Sequence, residues 1–155
     1  MRSILTVDAP PHKVVGIRRT GYYEEIGTMI MELASFIEEH KITVIGPPAF
    51  ICHEDSMDAV RAAAEAGTAD IEVAFPVEGD VKGSDNIHVY ELPGGKMVRI
   101  IHMGPYHEMT DTYQELFRWL GDNHLTITGP VREVYINDPK TTEEDLLVTW
   151  IYAPI

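Results

Sequence analysis

The chain is predicted to be an α+β fold: duplicated strand-helix-strand-strand modules about a pseudo-two-fold, forming a curved antiparallel sheet of about eight strands with two helices on one face. Three observations predict it. First, residues 14–55 moved forward by 83 positions, without a gap, fall on residues 97–138. Gly21 lands on Gly104, Tyr23 on Tyr106, Glu32 on Glu115, Leu33 on Leu116, Gly46-Pro47 on Gly129-Pro130 and Asp55 on Asp138. Self-similarity at a fixed period marks repeated structural units. Second, each copy orders two alternating segments, one stretch of helical spacing and two more alternating segments. Third, a copy of roughly 75 residues is marginal alone. The two copies are therefore expected to share one core as a single domain over 1–155, with module one at about 1–78 and module two at about 79–155.

In module one, residues 3–7 and 13–20 alternate as strands do, joined by a turn at Pro10-Pro11. A helix over 23–40 follows, with an apolar stripe of Ile26, Met29, Ile30, Leu33 and Ile37. Gly46-Pro47 ends the connecting loop, and strands are expected at 49–53 and 70–77. Between them lies a longer insert, 55–70, in which 57–65 suits a short helical turn. An insert of that size serves as a lid, a variable ligand contact or an inert connector.

Module two repeats the order. Strands at 86–92 and 96–103 flank Pro93-Gly94-Gly95, a hairpin signal. A helix over 106–121 carries Tyr106, Met109, Tyr113, Leu116, Phe117 and Leu120 on its stripe, and strands at 131–136 and 146–152 close the unit. Phe36 and Trp119 sit at the stripes' edges. With both helices on one face, the opposite face is expected to carry the charged positions.

Composition narrows the function. Hydrophobic content of 45% is that of a globular chain. A formal net charge of −13 weighs against direct nucleic-acid binding, since a phosphate backbone repels such a surface. The same charge aids solubility and attracts cationic ligands or a basic protein partner. The single cysteine, Cys52, permits no internal disulfide and favours a reducing compartment. The N-terminus lacks a signal-peptide core, and no apolar run is long enough to span a membrane, so a cytoplasmic home is expected. Seven histidines occur without a His-Glu-x-x-His pattern or a cysteine pair, so neither a metal nor a cofactor is expected.

The two copies differ most tellingly after the Gly-Pro pairs. Strand side chains alternate faces, so Val131, Glu133 and Tyr135 share one face; their counterparts are Pro48, Phe50 and Cys52. Two readings of Glu133 stand: a solvated position on an exposed face, or an inward carboxylate replacing the inward Phe50. An inward carboxylate has a raised pKa unless a partner compensates, and suits a cation or acid–base work. Tyr113 and Phe117 read as core. Tyr135, Tyr106, Trp119 and Trp150 are candidate walls for a ligand, where each aromatic face adds about 0.5–2 kcal/mol to a bound cation.

Gly104-Pro105-Tyr106, Leu116 and Trp119 on the helix, Gly129-Pro130, Glu133-x-Tyr135 and Asp138-Pro139 form an ordered set. In that set the chain resembles the GyrI-like small-molecule-binding domain, the effector-binding part of certain multidrug-sensing transcription activators. The resemblance implies a ligand cleft between the helices and the curved sheet, with Glu133 as the pocket carboxylate. It also implies pocket-side tyrosines at Tyr135 and Tyr106 and the family's helix aromatic at Trp119. The first strand begins by Ser3, so a stand-alone member is expected, without the DNA-binding segment of the regulators.

Three functions follow as expectations. One is binding of apolar, aromatic or cationic small molecules, with Glu133 for charge and Tyr135, Tyr106, Trp119, Trp150 and Phe50 as walls. Another is a hydrolase of cyclopropane-bearing cyclohexadienone toxins, an activity the resemblance brings. There Glu133 activates water and Tyr135 or Tyr106 donates to the oxyanion. The third is an acidic protein-interaction module of the gyrase-protecting kind. Exposed edge strands leave room for a homodimer.

Overall fold

In the computed structural model, which describes residues 2–155, both copies of the repeat share a run of two strands, a long helix and two strands, to which the first copy adds a short strand and a helix. The first gives β1 (Ile4–Ala9), β2 (His12–Gly21), α1 (Glu25–Glu39), a two-residue β3 (Thr43–Val44), β4 (Ala49–Cys52), α2 (Met57–Ala66) and β5 (Ala69–Glu78). The second gives β6 (His88–Leu92), β7 (Gly95–Met103), α3 (Met109–Asp122), β8 (Val131–Tyr135) and β9 (Val148–Pro154). Single 3-10 turns at Tyr106–Glu108 and Glu144–Leu146 lead into α3 and β9. The insert of the first copy is a helix in its own right, α2. Ser56 starts it by accepting the Ala59 N–H at 3.0 Å, an N-cap that satisfies one of the free amides of the first turn.

The sheet runs β1-β7-β9-β8-β4-β5-β2-β6, with β3 alongside β5. This corrects the two expected hairpins. β1 pairs with β7 and β2 with β6, so neither connector joins partners. Pro10 and Pro11 lack the N–H groups that close a tight hairpin, and the chain crosses instead from one arm of the sheet to the other. The second connector does the same beside it. A Cβ on Gly94 would overlap the carbonyl of Ala9 and stand 2.6 Å from Pro11 N, so only glycine lets the two backbones cross. Each arm of the sheet thus takes its outermost strand from the other copy.

The halves meet where β4 pairs antiparallel with β8, in the register Ala49↔Val134, Phe50↔Glu133, Ile51↔Arg132 and Cys52↔Val131. Both long helices lie on the face that holds Phe50 and Glu133. α1 buries Met29, Leu33, Phe36 and Ile37 against Ile17, Ile71 and Val73. α3 buries Leu116 and Leu120 against Val98, Ile100 and Ile151. Each such aliphatic side chain contributes about 1.5–3 kcal/mol when fully buried. The opposite face carries charged positions, among them Arg18, Glu72, Arg99 and Arg132, but it also holds apolar residues. These include a third apolar cluster of Val14, Ala49, Ile51 and Ala74, with Tyr90, Leu92 and Val134 packed against it. Two of the charges on this face are buried: Glu72 is 6% exposed and Arg132 8%, while Arg18 is exposed.

Candidate functional site

Between α1 and the start of α3, above the seam, lies a cleft of about 780 Å³. Ile26, Ile30 and Met31 of α1, with Tyr23 from the turn before it, line one wall at the spacing of one helical face. Tyr106 and Met109 form the other wall, and Pro47, Pro48 and Phe75 extend the apolar lining. Glu133 and Tyr135 form the floor, and residues 136–140 rise from the end of β8 as a rim. The Lys140 ammonium approaches Met31 Sδ at 3.4 Å, so this rim reaches across to α1.

Glu133 is partly buried, lines the cleft, and has both of its oxygens held. The Tyr113 hydroxyl donates to Oε2, and the Tyr135 hydroxyl donates to Oε1 at 3.0 Å. Burial pushes the Glu133 pKa above the ordinary carboxylate range. The hydrogen bonds from Tyr113 and Tyr135, and the field of His102 when protonated, pull the other way. The two phenols are raised well above their usual value, first by burial and then by the carboxylate's charge, so both remain donors at neutral pH.

Tyr106 overhangs Tyr135, with ring centroids 5.4 Å apart and planes at 57°. The turn that carries it is pinned from beneath. Gly104 takes φ +117°, a conformation L side chains rarely adopt, and donates its N–H to the Leu147 carbonyl at 2.8 Å. His102, fully buried, contacts the Pro105 carbonyl through Nε2 at 2.9 Å and Thr112 Oγ1 through Nδ1 at 2.6 Å. A carbonyl only accepts, so Nε2 carries the hydrogen, and in the neutral ring Nδ1 accepts the threonine hydroxyl. On the α1 side, Tyr23 donates to Glu54 Oε1 at 2.7 Å, and Glu54 Oε2 accepts the Asp70 N–H at 3.1 Å.

The structure brings together Glu133, Tyr135 and Tyr106 in the cleft and places three other candidates outside it. Phe50 lies directly across from Glu133 but is 4% exposed, beneath the lining, edge-on to Tyr23 at 6.2 Å. Trp119 packs with the α3 core. It follows Tyr113 by six residues, which turns it about 120° around the helix. Trp150 pairs with Val134, not with Glu133, and so projects from the other face, beneath the Arg99 guanidinium. Phe117, read as core, is 37% exposed and only flanks Tyr113.

Tyr113 is the residue that sequence reasoning misplaced, as an inert part of the stripe. The repeat held the signal: its counterpart is Ile30, just as Phe50 is that of Glu133 and Cys52 that of Tyr135. All three exchanges put a polar group in the second copy, and the three side chains meet. Cys52 has no activating base; burial pushes its thiol up to about 12. Among the described residues, no group of three or more His, Cys, Asp or Glu side chains is arranged to hold a metal. No described helix is long and apolar enough to cross a membrane.

A curved sheet, two long helices on one face and a mostly apolar cleft with a carboxylate at its floor define a small-molecule-binding class of domain. Residues 4–155 match the GyrI-like small molecule binding domain, and the chain belongs to that family. The fold is similar to that of EcmrR in its complex with DNA in EcmrR-RPo, with a TM-score of 0.86 and 20% identity. That likeness covers 99% of this chain and 57% of the EcmrR chain, so this chain spans little more than half of that protein. The EcmrR C-terminal domain gives a TM-score of 0.81 at 20% identity, covering 99% of this chain and 97% of that one. A hydrolase encoded by lin2189 from Listeria innocua gives 0.70 at 14% identity, covering 99% and 91%. SAV2435 bound to tetraphenylphosphonium gives 0.51 at 12% identity, covering 98% and 94%. No curated protein matches the chain.

Proposed function

We propose that the cleft binds apolar, aromatic or cationic small molecules, with Glu133 as its anionic contact and Tyr135, Tyr106 and Tyr23 as aromatic walls. The observation that carries this reading is a carboxylate held by two phenols at the floor of a mostly apolar cavity whose other charged side chains, Asp138 and Lys140, lie on the rim. A bound cation would offset the penalty of ionising Glu133 there, and the rings would add their quadrupoles. A volume of about 780 Å³ suits a drug-sized ligand. Tetraphenylphosphonium and its neutral relative triphenylphosphine oxide provide the test, read by titration calorimetry. The cation binds and the neutral compound binds more weakly; Glu133→Gln removes the difference. Equal binding of both compounds by the wild-type protein would overturn the assignment of Glu133.

A hydrolase is the second reading, and one observation favours it. The Tyr106 ring lies against Tyr135 at the floor, and its hydroxyl has no hydrogen-bond partner among the described residues. In that reading Glu133 takes a proton from a water whose oxygen bonds to a cyclopropane carbon. The strained C–C bond to that carbon breaks with its electron pair passing into the conjugated carbonyl, and Tyr106 donates to the carbonyl oxygen that gains the charge. Multiple turnovers of an activated cyclopropane, abolished in Glu133→Gln, would establish it; a single stoichiometric burst or none would dismiss it.

A further inference from the structure

The sheet face turned away from the helices holds charges that the cleft does not use. Arg99 on β7, Tyr152 on β9 and Arg132 on β8 stand in one row across three adjacent strands. Ile51, Glu72 and Arg18 continue that row on β4, β5 and β2. At about 4.8 Å per strand, the two arginine backbones stand roughly 10 Å apart with Tyr152 between them.

Most of this row is internally satisfied. Arg18 pairs with Asp70 at 2.7 Å, and Glu72 accepts from the Tyr90 hydroxyl and lies 2.7 Å from His53 Nε2. The two remaining guanidiniums are not. Arg132 donates one Nη–H to the Pro93 carbonyl at 2.6 Å, but its buried Nε has no partner. Arg99 lies over the Trp150 ring, 4.5 Å from the centroid, and its Nε is also buried and unpartnered. Neither arginine makes an ion pair among the described residues. A buried donor without an acceptor is costly, more so when charged. In a chain with 25 acidic residues and a net charge of −13, two arginines flanking one tyrosine with no carboxylate in ion-pair contact form a local positive site, Glu72 standing two strands beyond Arg132 and held by Tyr90 and His53.

We propose that Arg99, Tyr152 and Arg132 form a binding site for a small oxyanion, either a phosphate or a carboxylate group, gripped by the guanidiniums on both sides of the tyrosine. The planar fork of arginine matches such an anion through charge-assisted hydrogen bonds from its outer Nη–H groups, since the Nε atoms themselves are closed to solvent. Arg132 and Glu133 are consecutive on β8 and face opposite ways, so this site is separated from the cleft by the thickness of the sheet.

The test compares inorganic phosphate and succinate with sodium chloride at matched ionic strength, reading melting temperature and calorimetric affinity. Phosphate or succinate stabilises the protein where chloride does not. A phosphate-only response assigns a phosphoryl group, and a succinate-only response a carboxylate. Arg99→Gln weakens the effective anion at least tenfold and leaves tetraphenylphosphonium binding unchanged. Arg99→Lys, which keeps charge and stem but not the fork, restores only part of the affinity. A chloride response equal to both anions, or wild-type anion affinity in Arg99→Gln, would overturn the proposal.

Discussion

Phe50 and Glu133 are the same position of the repeat and also direct partners across the β4–β8 seam. The pseudo-two-fold axis therefore passes between them. A symmetric pairing of two identical copies would set such a residue against its own image, with Cβ atoms about 5 Å apart. Two glutamates there could not both ionise, and two phenylalanines would offer no charge. One chain carrying both copies escapes that constraint and sets a lone carboxylate beside an aromatic ring.

The charge should be separable from the shape of the cleft. In Glu133→Gln, affinity for tetraphenylphosphonium falls about thirtyfold or more, at about 2 kcal/mol for losing one side of a buried charge contact. Binding of triphenylphosphine oxide changes by less than about threefold. Calorimetry on both variants checks this.

Acidity should move stability and cation binding in opposite directions. The folded pKa of Glu133 lies above its unfolded value. Its contribution to stability is therefore full below the ordinary glutamate pKa, about 4.3. It is lost as pH rises through the raised folded value, because the ionised form is disfavoured in the cleft. A cation selects the ionised form, so its affinity climbs over the same window. Melting curves and titrations from about pH 4 to about pH 8, set against Glu133→Gln, resolve the two trends.

Tyr113 is expected to tune the carboxylate from outside the cleft lining. Tyr113→Phe removes one of the two donors, costs about 1.5–3 kcal/mol for a hydrogen bond to a charged group, and raises the Glu133 pKa further. The pH at which half-maximal cation affinity is reached shifts upward. A variant that only loosened packing would lower stability and leave that midpoint in place.

His102 is a positioning residue for Tyr106. His102→Ala frees the Pro105 carbonyl, leaves the Thr112 hydroxyl without its buried partner and opens a hole under the turn. A loss of about 2–4 kcal/mol in unfolding free energy is expected. Ligand affinity falls as well, and denaturant melts with a parallel binding titration measure both.

Much of this architecture was legible in the chain because the repeat constrains every element twice. The 83-residue offset aligned the strands flanking both helices, and the helical stripes named Leu33 and Leu116, both fully buried. Pairing was less legible. Pro93-Gly94-Gly95 has hairpin composition, but whether a turn closes a hairpin depends on what lies next to it, here the Pro10-Pro11 backbone. The site was readable where the copies differ and obscure where alternation alone decided. Trp150 and Ile151 are neighbours in sequence, yet β-pairing sends only Ile151 to the side of Glu133. Phe117 shows the same limit on a helix, where the stripe ends and solvent begins within one residue of Leu116.

The crossing at Gly94 makes the duplicated halves inseparable. Gly94→Ala would force the two connectors apart and should unfold or markedly destabilise the protein, as a melting curve would show. Severed between β5 and β6, the amino-terminal piece would keep β1 but lose the strand it lies against, and the flank of β2 would stand bare. The carboxy-terminal piece would suffer the mirror-image loss, with β6 idle and β7 uncovered. Neither fragment should be stable by itself, yet mixed together they hold complementary gaps, and each is the natural template on which the other can complete itself.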